Sequence, residues 1–132
     1  GEILVPAGRG KTSFIDTRDI AAVAVETLRT NIYKFKALPL TGAEALTYYQ
    51  VAEILTRELE RPIAYNNPSI LRFIKAMLKR NFSLKYILVM TAIYTINKMG
   101  MAARLTPNVE RILGRKPISF KQFASDYRAH WL

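Results

Sequence analysis

The segments of this 132-residue chain that can form β-strands are few and short. Apolar runs bounded by Gly, Pro or Asn predict three strands, at residues 11–15, 37–41 and 63–65. Strands of this length bury too little surface to form a stable sheet alone, so we expect them to extend a larger sheet. The sequence therefore predicts an α/β fold, or an α+β fold for the chain by itself, in which these few strands accompany about five to six helices.

The first helices of the chain are marked by their capping residues. Asp16 is the predicted N-cap of the first helix, with Asp19 in its positive first turn, and Thr30 is expected to end it. Thr47 and Gln50 have the spacing of a capping box ahead of a second helix. Each predicted strand is therefore followed or preceded closely by a helix, as in α/β folds.

The chain is predicted to be a single lobe with two parts, a strand and helix part at 1–65 and a helical part at 66–132. The helical part shows four successive signals: an apolar stripe at 70–78, a run at 84–98, Thr106 before Pro107, and the capping residues Ser119 and Gln122. No internal repeat or low-complexity linker separates the two parts.

The composition argues against several kinds of catalytic and metal site, and against a membrane-spanning or secreted chain. The chain has no cysteine, which rules out disulfides and thiolate metal sites within it, and we expect a cytoplasmic location. Its only histidine, His130, lacks the partners of a Ser-His-Asp triad or a His-based metal site. The longest apolar stretch, 84–96, is too short to span a membrane, and residues 1–6 do not have the pattern of a signal peptide.

Positive charge is concentrated in one span of the sequence. The net charge is +10, and no acidic residue occurs between Arg61 and Glu110. Such a span is most often a solvated face, and it also raises the alternative of a module that binds anions or a membrane surface. No nucleic-acid-binding motif accompanies it, so no specific nucleic acid partner is expected.

The catalytic motifs that can be found are weak, and we predict neither a catalytic residue nor a metal site. Asp16 and Asp19 fit helix capping better than acid/base catalysis. Residues 8–10, Gly-Arg-Gly, lack the third glycine and the following helix of a phosphate-binding loop. Tyr94 and Lys98 have the Tyr-x-x-x-Lys spacing in which lysine lowers the pKa of tyrosine, but among seven tyrosines such a match can arise by accident.

Three blocks of the sequence, in order, resemble one family. They are 11–22 (KTSFIDTRDIAA), 38–65 (LPLTGAEALTYYQVAEILTRELERPIAY) and 105–127 (LTPNVERILGRKPISFKQFASDY). These blocks resemble a strand-to-helix junction, a late strand, helix and final strand, and the C-terminal close of the atypical short-chain dehydrogenase/reductases. The group in question contains NmrA-like proteins and predicted nucleoside-diphosphate-sugar epimerases. Residues 70–104 match only as helices, in the region where such families vary with substrate.

The resemblance implies the substrate-side lobe of an extended Rossmann-type NAD(P)-binding fold. It places the Gly-rich dinucleotide loop, the central parallel strands and the family's catalytic Tyr-x-x-x-Lys in an N-terminal portion that this sequence lacks. Tyr94 and Lys98 lie downstream of the junction, whereas the family pair lies upstream, so they do not match it. NAD or NADP is therefore the cofactor implied for the full-length parent protein, and none is expected for this chain alone.

The resemblance also suggests which residues line the site. The loop at 5–7 is expected to pass near the nicotinamide end, which makes Pro6 and Ala7 the candidate cofactor-binding residues. The substrate pocket is expected to include Phe14 and Arg18 facing the cleft and two residues on a variable lid, Phe73 and Tyr94.

The function that follows is the substrate-binding lobe of an NAD(P)-dependent oxidoreductase or nucleoside-diphosphate-sugar epimerase-like protein, inactive when isolated. One alternative is an NmrA-like regulator that senses a dinucleotide without catalysis, because fold alone does not separate the two. The other is the basic anion- or membrane-binding module. The partners expected are a small-molecule substrate, the N-terminal Rossmann portion and, through the apolar surface that this portion would cover, further copies of the chain.

Overall fold

A computed structural model describes residues 1–131 of the chain. Within them it has four short strands and seven helices, so the predicted α/β character is confirmed, with one more helix than the upper expectation. In chain order the elements are β1 (Glu2–Ile3), β2 (Lys11–Ser13), α1 (Thr17–Arg29), β3 (Ala45–Thr47), α2 (Tyr48–Leu59), β4 (Ala64–Tyr65), α3 (Ile70–Lys79), α4 (Leu84–Lys98), α5 (Asn108–Leu113), α6 (Phe120–Asp126) and α7 (Arg128–Trp131).

The strands form two separate two-stranded sheets. β1 pairs with β4 in parallel, with Glu2 opposite Ala64, and β2 pairs with β3 in antiparallel register, with Thr12 opposite Leu46. The structure thus adds a first strand that the sequence had not predicted. Neither pair is a sheet that would be stable by itself, in agreement with the expectation that the strands need neighbours.

The strand predicted at 37–41 is wrong, because its backbone groups find other partners. Pro39 has no N–H to give to a ladder, and its carbonyl accepts hydrogen bonds from the Thr106 hydroxyl (2.7 Å) and the Asn108 amide (2.8 Å). The buried Thr41 hydroxyl accepts from the Thr106 N–H at 2.9 Å. The segment therefore docks on the start of α5, and the actual strand, β3, follows it.

The helix caps are largely those predicted. Asp16 caps α1 by accepting from the Arg18 N–H, the capping box at the start of α2 is complete, and α4 has the predicted bounds. Two caps differ. Ser119 caps α6, but the Gln122 side chain donates to Asp126 instead of returning to the cap. Thr106 is not the cap of α5, because its hydroxyl donates a hydrogen bond to the Pro39 carbonyl.

The main core lies around α2. Its buried members are Leu46, Val51, Leu55, Leu59 and Ala124, so α2 packs between β3 and α6. A second and smaller cluster, made by Phe73, Met77 and Ile87, joins α3 to α4. No helix within residues 1–131 is long and apolar enough to cross a membrane.

A buried ion pair joins α1 to the chain after α5. The fully buried Asp19 carboxylate lies 2.8 Å from the Arg115 guanidinium and accepts the Ile118 N–H at 2.7 Å. A buried carboxylate is stable only when paired and hydrogen-bonded in this way. Asp19 therefore fixes the segment that leads into α6, which is a structural role.

Candidate functional site

Four aromatic side chains from separate elements form one continuous row, which we call the aromatic wall: Phe14, Tyr48, Tyr94 and Phe73. The ring centroids are 5.8 Å apart for Phe14 and Tyr48, 6.2 Å for Tyr48 and Tyr94, and 5.8 Å for Tyr94 and Phe73. All three contacts are edge-to-face, the arrangement that the ring quadrupoles favour. Three of the four predicted substrate-pocket residues are therefore in one place.

The wall connects the two parts of the chain. Phe14 follows β2 directly, and Tyr48 is the first residue of α2, directly after β3, so the β2–β3 pair brings these two rings together. Tyr94 comes from α4 and Phe73 from α3. Tyr48 was not singled out in the sequence, although its position next to the capping residue Thr47 fixes where its helix starts.

The wall tyrosines are kept in the neutral form. Burial raises the pKa of Tyr48, and burial with the neighbouring tyrosines raises the pKa of Tyr94 to about 12. At neutral pH both hydroxyls are therefore protonated. The pKa of Tyr94 moves in the direction opposite to that of a lysine-activated base, so the structure agrees with treating the Tyr94–Lys98 spacing as accidental.

The loop that holds Pro6 and Ala7 is tied to the wall through Tyr65. The Tyr65 hydroxyl donates to the Val5 carbonyl at 3.0 Å, and the Tyr65 ring lies 5.7 Å from that of Tyr48. Pro6 and Ala7 are both buried, and Ala7 completely so. The two predicted cofactor residues thus lie next to the wall, one side chain away from it.

The loop does not have the form of a pyrophosphate cradle. The Gly8 N–H donates to the Asn67 side chain (3.0 Å) and the Gly10 N–H to the Ala7 carbonyl (3.0 Å), and the element that follows is a strand, β2. Backbone N–H groups at a helix N-terminus are what holds a dinucleotide phosphate. The described residues of this loop therefore do not fit the phosphates of NAD(P).

Arg18 stands apart from the wall. Its guanidinium binds Asp16 at 2.8 Å and Asp126 at 2.7 Å, and it lies 5.3 Å from the centre of the Tyr127 ring. Hydrogen bonds from Arg18 hold the pKa of both carboxylates below the usual range. Its contacts join the start of α1 to α6, and its role in a substrate pocket remains a prediction.

A cavity of about 210 Å³ adjoins the Phe14 end of the wall. Its lining is mostly apolar, with Phe14, Phe120 and Phe123 on its sides and Asp16 at its edge. On the opposite side of Tyr48 the buried Asn97 amide donates to the Thr12 hydroxyl, which links α4 to β2. Thr12 and Asn97 carried no signal in the sequence because their contact spans 85 positions.

Comparison with known proteins finds oxidoreductases among the similar sequences. No family model matches the sequence. The chain is 33% identical over 129 residues to the NAD(P)H azoreductase of Xenophilus azovorans, which covers 98% of this chain and 45% of that protein. This match agrees with the resemblance to the C-terminal part of atypical short-chain dehydrogenase/reductases that the sequence predicted. The chain spans about half the length of the curated relatives that it matches.

Solved structures of other proteins have the same fold as this chain. Citrobacter sp. triphenylmethane reductase, solved with NADP(H), superposes with a TM-score of 0.86 at 17% identity over 97% of this chain and 44% of that one. A nucleoside-diphosphate-sugar epimerase from Staphylococcus aureus gives 0.83 at 17% identity, over 94% and 43%. The predicted mixed α/β fold is thus confirmed, and it matches solved NAD(P)-binding reductase and epimerase structures.

Proposed function

We propose that this chain is the substrate-binding lobe of an NAD(P)-dependent oxidoreductase that acts on a flat, conjugated aromatic molecule. The observation that carries the proposal is the aromatic wall, a continuous row of rings in which Phe14, Tyr48 and Tyr94 are partly exposed and Phe73 is buried. The names of an NAD(P)H azoreductase and of a reductase of triphenylmethane dyes among the similar proteins support it.

The character of the wall favours this substrate class over a nucleotide sugar. Recognition of a sugar needs several polar groups that pair with its hydroxyls, because a polar group left unpaired in a site costs binding energy. The wall contributes only the hydroxyls of Tyr48 and Tyr94, and desolvation dominates the environment of both. An epimerase-like reaction is thus the less favoured reading of the same fold.

The cofactor is proposed to lie mostly on a part of the protein outside this chain, with Pro6 and Ala7 beside its nicotinamide end. The loop geometry supports this division, because the Gly8 and Gly10 N–H groups are already donated within the chain. The isolated chain is then inactive and binds NADPH poorly. Calorimetry should detect no micromolar binding of NADPH by the isolated chain. Micromolar binding would contradict the proposal that the cofactor is held mostly outside this chain.

The face of α1 is proposed to be where the remaining Rossmann portion docks. A groove of about 510 Å³ runs beside α1, lined by apolar residues such as Ile20, Val23 and Leu40. Leu28 and Ile32, at the end of α1 and just after it, are exposed. Apolar patches of this kind are usually covered by a partner. For the chain alone we expect self-association there, and light scattering of Leu28→Asp should show a shift towards monomer.

The activity itself can be tested on the full-length gene product. NADPH oxidation should be stimulated by an azo dye or a quinone and not by a nucleotide sugar. Tyr94→Leu should raise the KM for the aromatic acceptor roughly tenfold, because it removes the central ring contacts of the wall. Phe35→Leu, at a fully exposed ring outside the wall, serves as the matched control and should leave the KM unchanged.

The results separate this function from its alternative. Turnover of the nucleotide sugar alone, or a KM that is insensitive to Tyr94→Leu, would reject the proposed substrate class. Binding of NADPH and of the aromatic compound without any turnover would instead support a dinucleotide-sensing regulator. A cytoplasmic location, which we propose from the absence of cysteine in the sequence, can be checked by cell fractionation.

A further inference from the structure

The helical hairpin formed by α3, α4 and the turn between them carries a second surface, separate from the aromatic wall. We define the hairpin tip as residues 78–89, which comprise the end of α3, the turn at 80–83 and the start of α4. The inner side of the hairpin is filled by Phe73, Met77 and Ile87. The tip points its remaining large side chains away from this cluster.

The outer side of the tip is strongly apolar. Its exposed apolar or aromatic side chains are Leu78, Phe82, Leu84, Tyr86, Leu88 and Val89. The Phe82 and Tyr86 rings stack on each other, with centroids 5.1 Å apart and an angle of 19° between the ring planes. An accumulation of exposed apolar side chains in one short segment indicates a partner.

The same tip is positively charged. Lys79, Arg80 and Lys85 are all exposed, and no acidic residue occurs anywhere from 62 to 109. The one acidic contact of α3 is at its other end, where Arg72 pairs with Glu2 at 3.2 Å. Cations therefore border the apolar patch with no neighbouring carboxylate from the hairpin itself.

We propose that the hairpin tip docks this protein on an anionic lipid surface. Aliphatic and aromatic side chains enter the boundary between headgroups and acyl chains, and Lys or Arg side chains beside them bind the anionic headgroups. Phe82 and Tyr86 are aromatic, and aromatic side chains, tyrosine among them, are common at the membrane–water interface. The proposal is independent of the function assigned to the aromatic wall.

Charge decides against a second copy of the chain as the occupant. Two tips brought face to face would place the same cations, Lys79, Arg80 and Lys85, against one another. The carboxylate that shares a groove with Lys79 and Arg80 is that of Glu2, which is already paired with Arg72 at 3.2 Å. Like charges across an interface are costly, whereas an anionic membrane neutralises them.

The test is sedimentation of the purified protein with vesicles of neutral lipid or of neutral lipid with added phosphatidylglycerol. Binding should require the anionic lipid and weaken as salt is added, because exposed charges are screened. The triple variant R80S/F82S/K85S should bind at least tenfold more weakly, since it removes two cations and one inserted ring. Circular dichroism establishes that this variant is folded.

A matched control is available at the end of α2. The variant R57S/R61S removes the same number of cations from exposed positions outside the hairpin tip and should bind vesicles as the unmodified protein does. Equal losses in R57S/R61S and R80S/F82S/K85S would overturn the proposal, as would equal binding to neutral vesicles or no binding at low salt. Dissociation of a dimer by R80S/F82S/K85S in light scattering would also overturn it, because the tip would then be a contact between copies.

Discussion

α2 and α4 are helices of similar length that are used in opposite ways. α2 buries Val51, Ala52, Leu55 and Leu59 among its 12 residues and packs on α6, whereas the 15-residue α4 buries only Ile87 and Asn97. Burial of apolar surface is the main source of stability, so α2 stabilises the lobe and α4 contributes much less. We therefore expect the hairpin that contains α4 to open locally more easily than the α2 core.

The largest test of this difference compares one leucine in each helix. Leu59→Ala should lower the free energy of unfolding by about 2–5 kcal/mol, because it leaves a cavity in the main core. Leu59 is 2% exposed, whereas Leu88 on α4 is 58% exposed, so Leu88→Ala should cost about 0.5 kcal/mol or less. Urea unfolding measures both, and similar losses would refute the contrast between the helices.

A smaller effect is expected at the place where α4 touches the loop before β2. A side chain at Gly10 would overlap the carbonyl oxygen of Asn97, so Gly10→Ala must push α4 away from this loop. Overpacking of this kind costs about 1–3 kcal/mol. In Gly10→Ala, hydrogen exchange of the α4 amides should become faster than in the unmodified protein. Exchange of the α2 amides should change only as much as the global free energy of unfolding does. Unchanged exchange in α4 would show that this contact does not hold the hairpin.

The caps of the two helices allow a finer comparison. Thr47→Ala and Ser83→Ala each remove a hydroxyl that accepts a backbone N–H at a helix start. Thr47→Ala should lower the global free energy of unfolding by about 1 kcal/mol. Ser83→Ala should mainly accelerate hydrogen exchange in α4, with less effect on urea unfolding, because α4 can open before the core does. Equal global losses would indicate that the hairpin and the core unfold together.

The smallest effect expected is a change with pH on the α1–α6 side. The pKa values of Asp16 and Asp126 are lowered by hydrogen bonds from Arg18, so both carboxylates stabilise the folded state above their unfolded pKa, near 3.8. This contribution is lost as the pH falls through the lower, folded-state values. Arg18→Gln should therefore flatten the acid side of a stability profile from unfolding midpoints.

The control for that profile is Arg72→Gln. It removes another partly exposed arginine, whose carboxylate partner is Glu2 and not Asp16 or Asp126. Its acid profile should keep the steepness of the unmodified protein. If Arg18→Gln and Arg72→Gln change the profile alike, the effect reflects net charge and not the Arg18 contacts.

The parts of the fold that depend on neighbouring residues were predictable from the sequence. The caps at Asp16 and Thr47 and the bounds of α4 follow from local patterns, and the structure has all three. The strand predicted at 37–41 failed because its outcome depends on Thr106 and Asn108, which are distant in sequence and hydrogen-bond to Pro39.

The candidate site shows the same limit. The family resemblance pointed separately to Phe14, Phe73 and Tyr94, and the structure brings them into one row. The residue that joins them, Tyr48, has no sequence signal of its own, because its importance comes from edge-to-face contacts with rings more than 30 positions away in either direction. Arg18 was predicted to face the cleft, but the structure pairs it with two carboxylates. Asp16 is two residues before it, whereas Asp126 is 108 positions away and meets it only in the folded chain.

The position of the single tryptophan decides what a fluorescence experiment on this protein can report. Trp131 lies on α7 with its ring 6.3 Å from that of Phe123 on α6, next to the α2 core. Its emission therefore follows the environment of that core and is insensitive to the hairpin. Partial melting of α3 and α4 would reduce the helical dichroism while the indole signal stayed constant, so a mismatch between the two curves would measure how independently the hairpin unfolds.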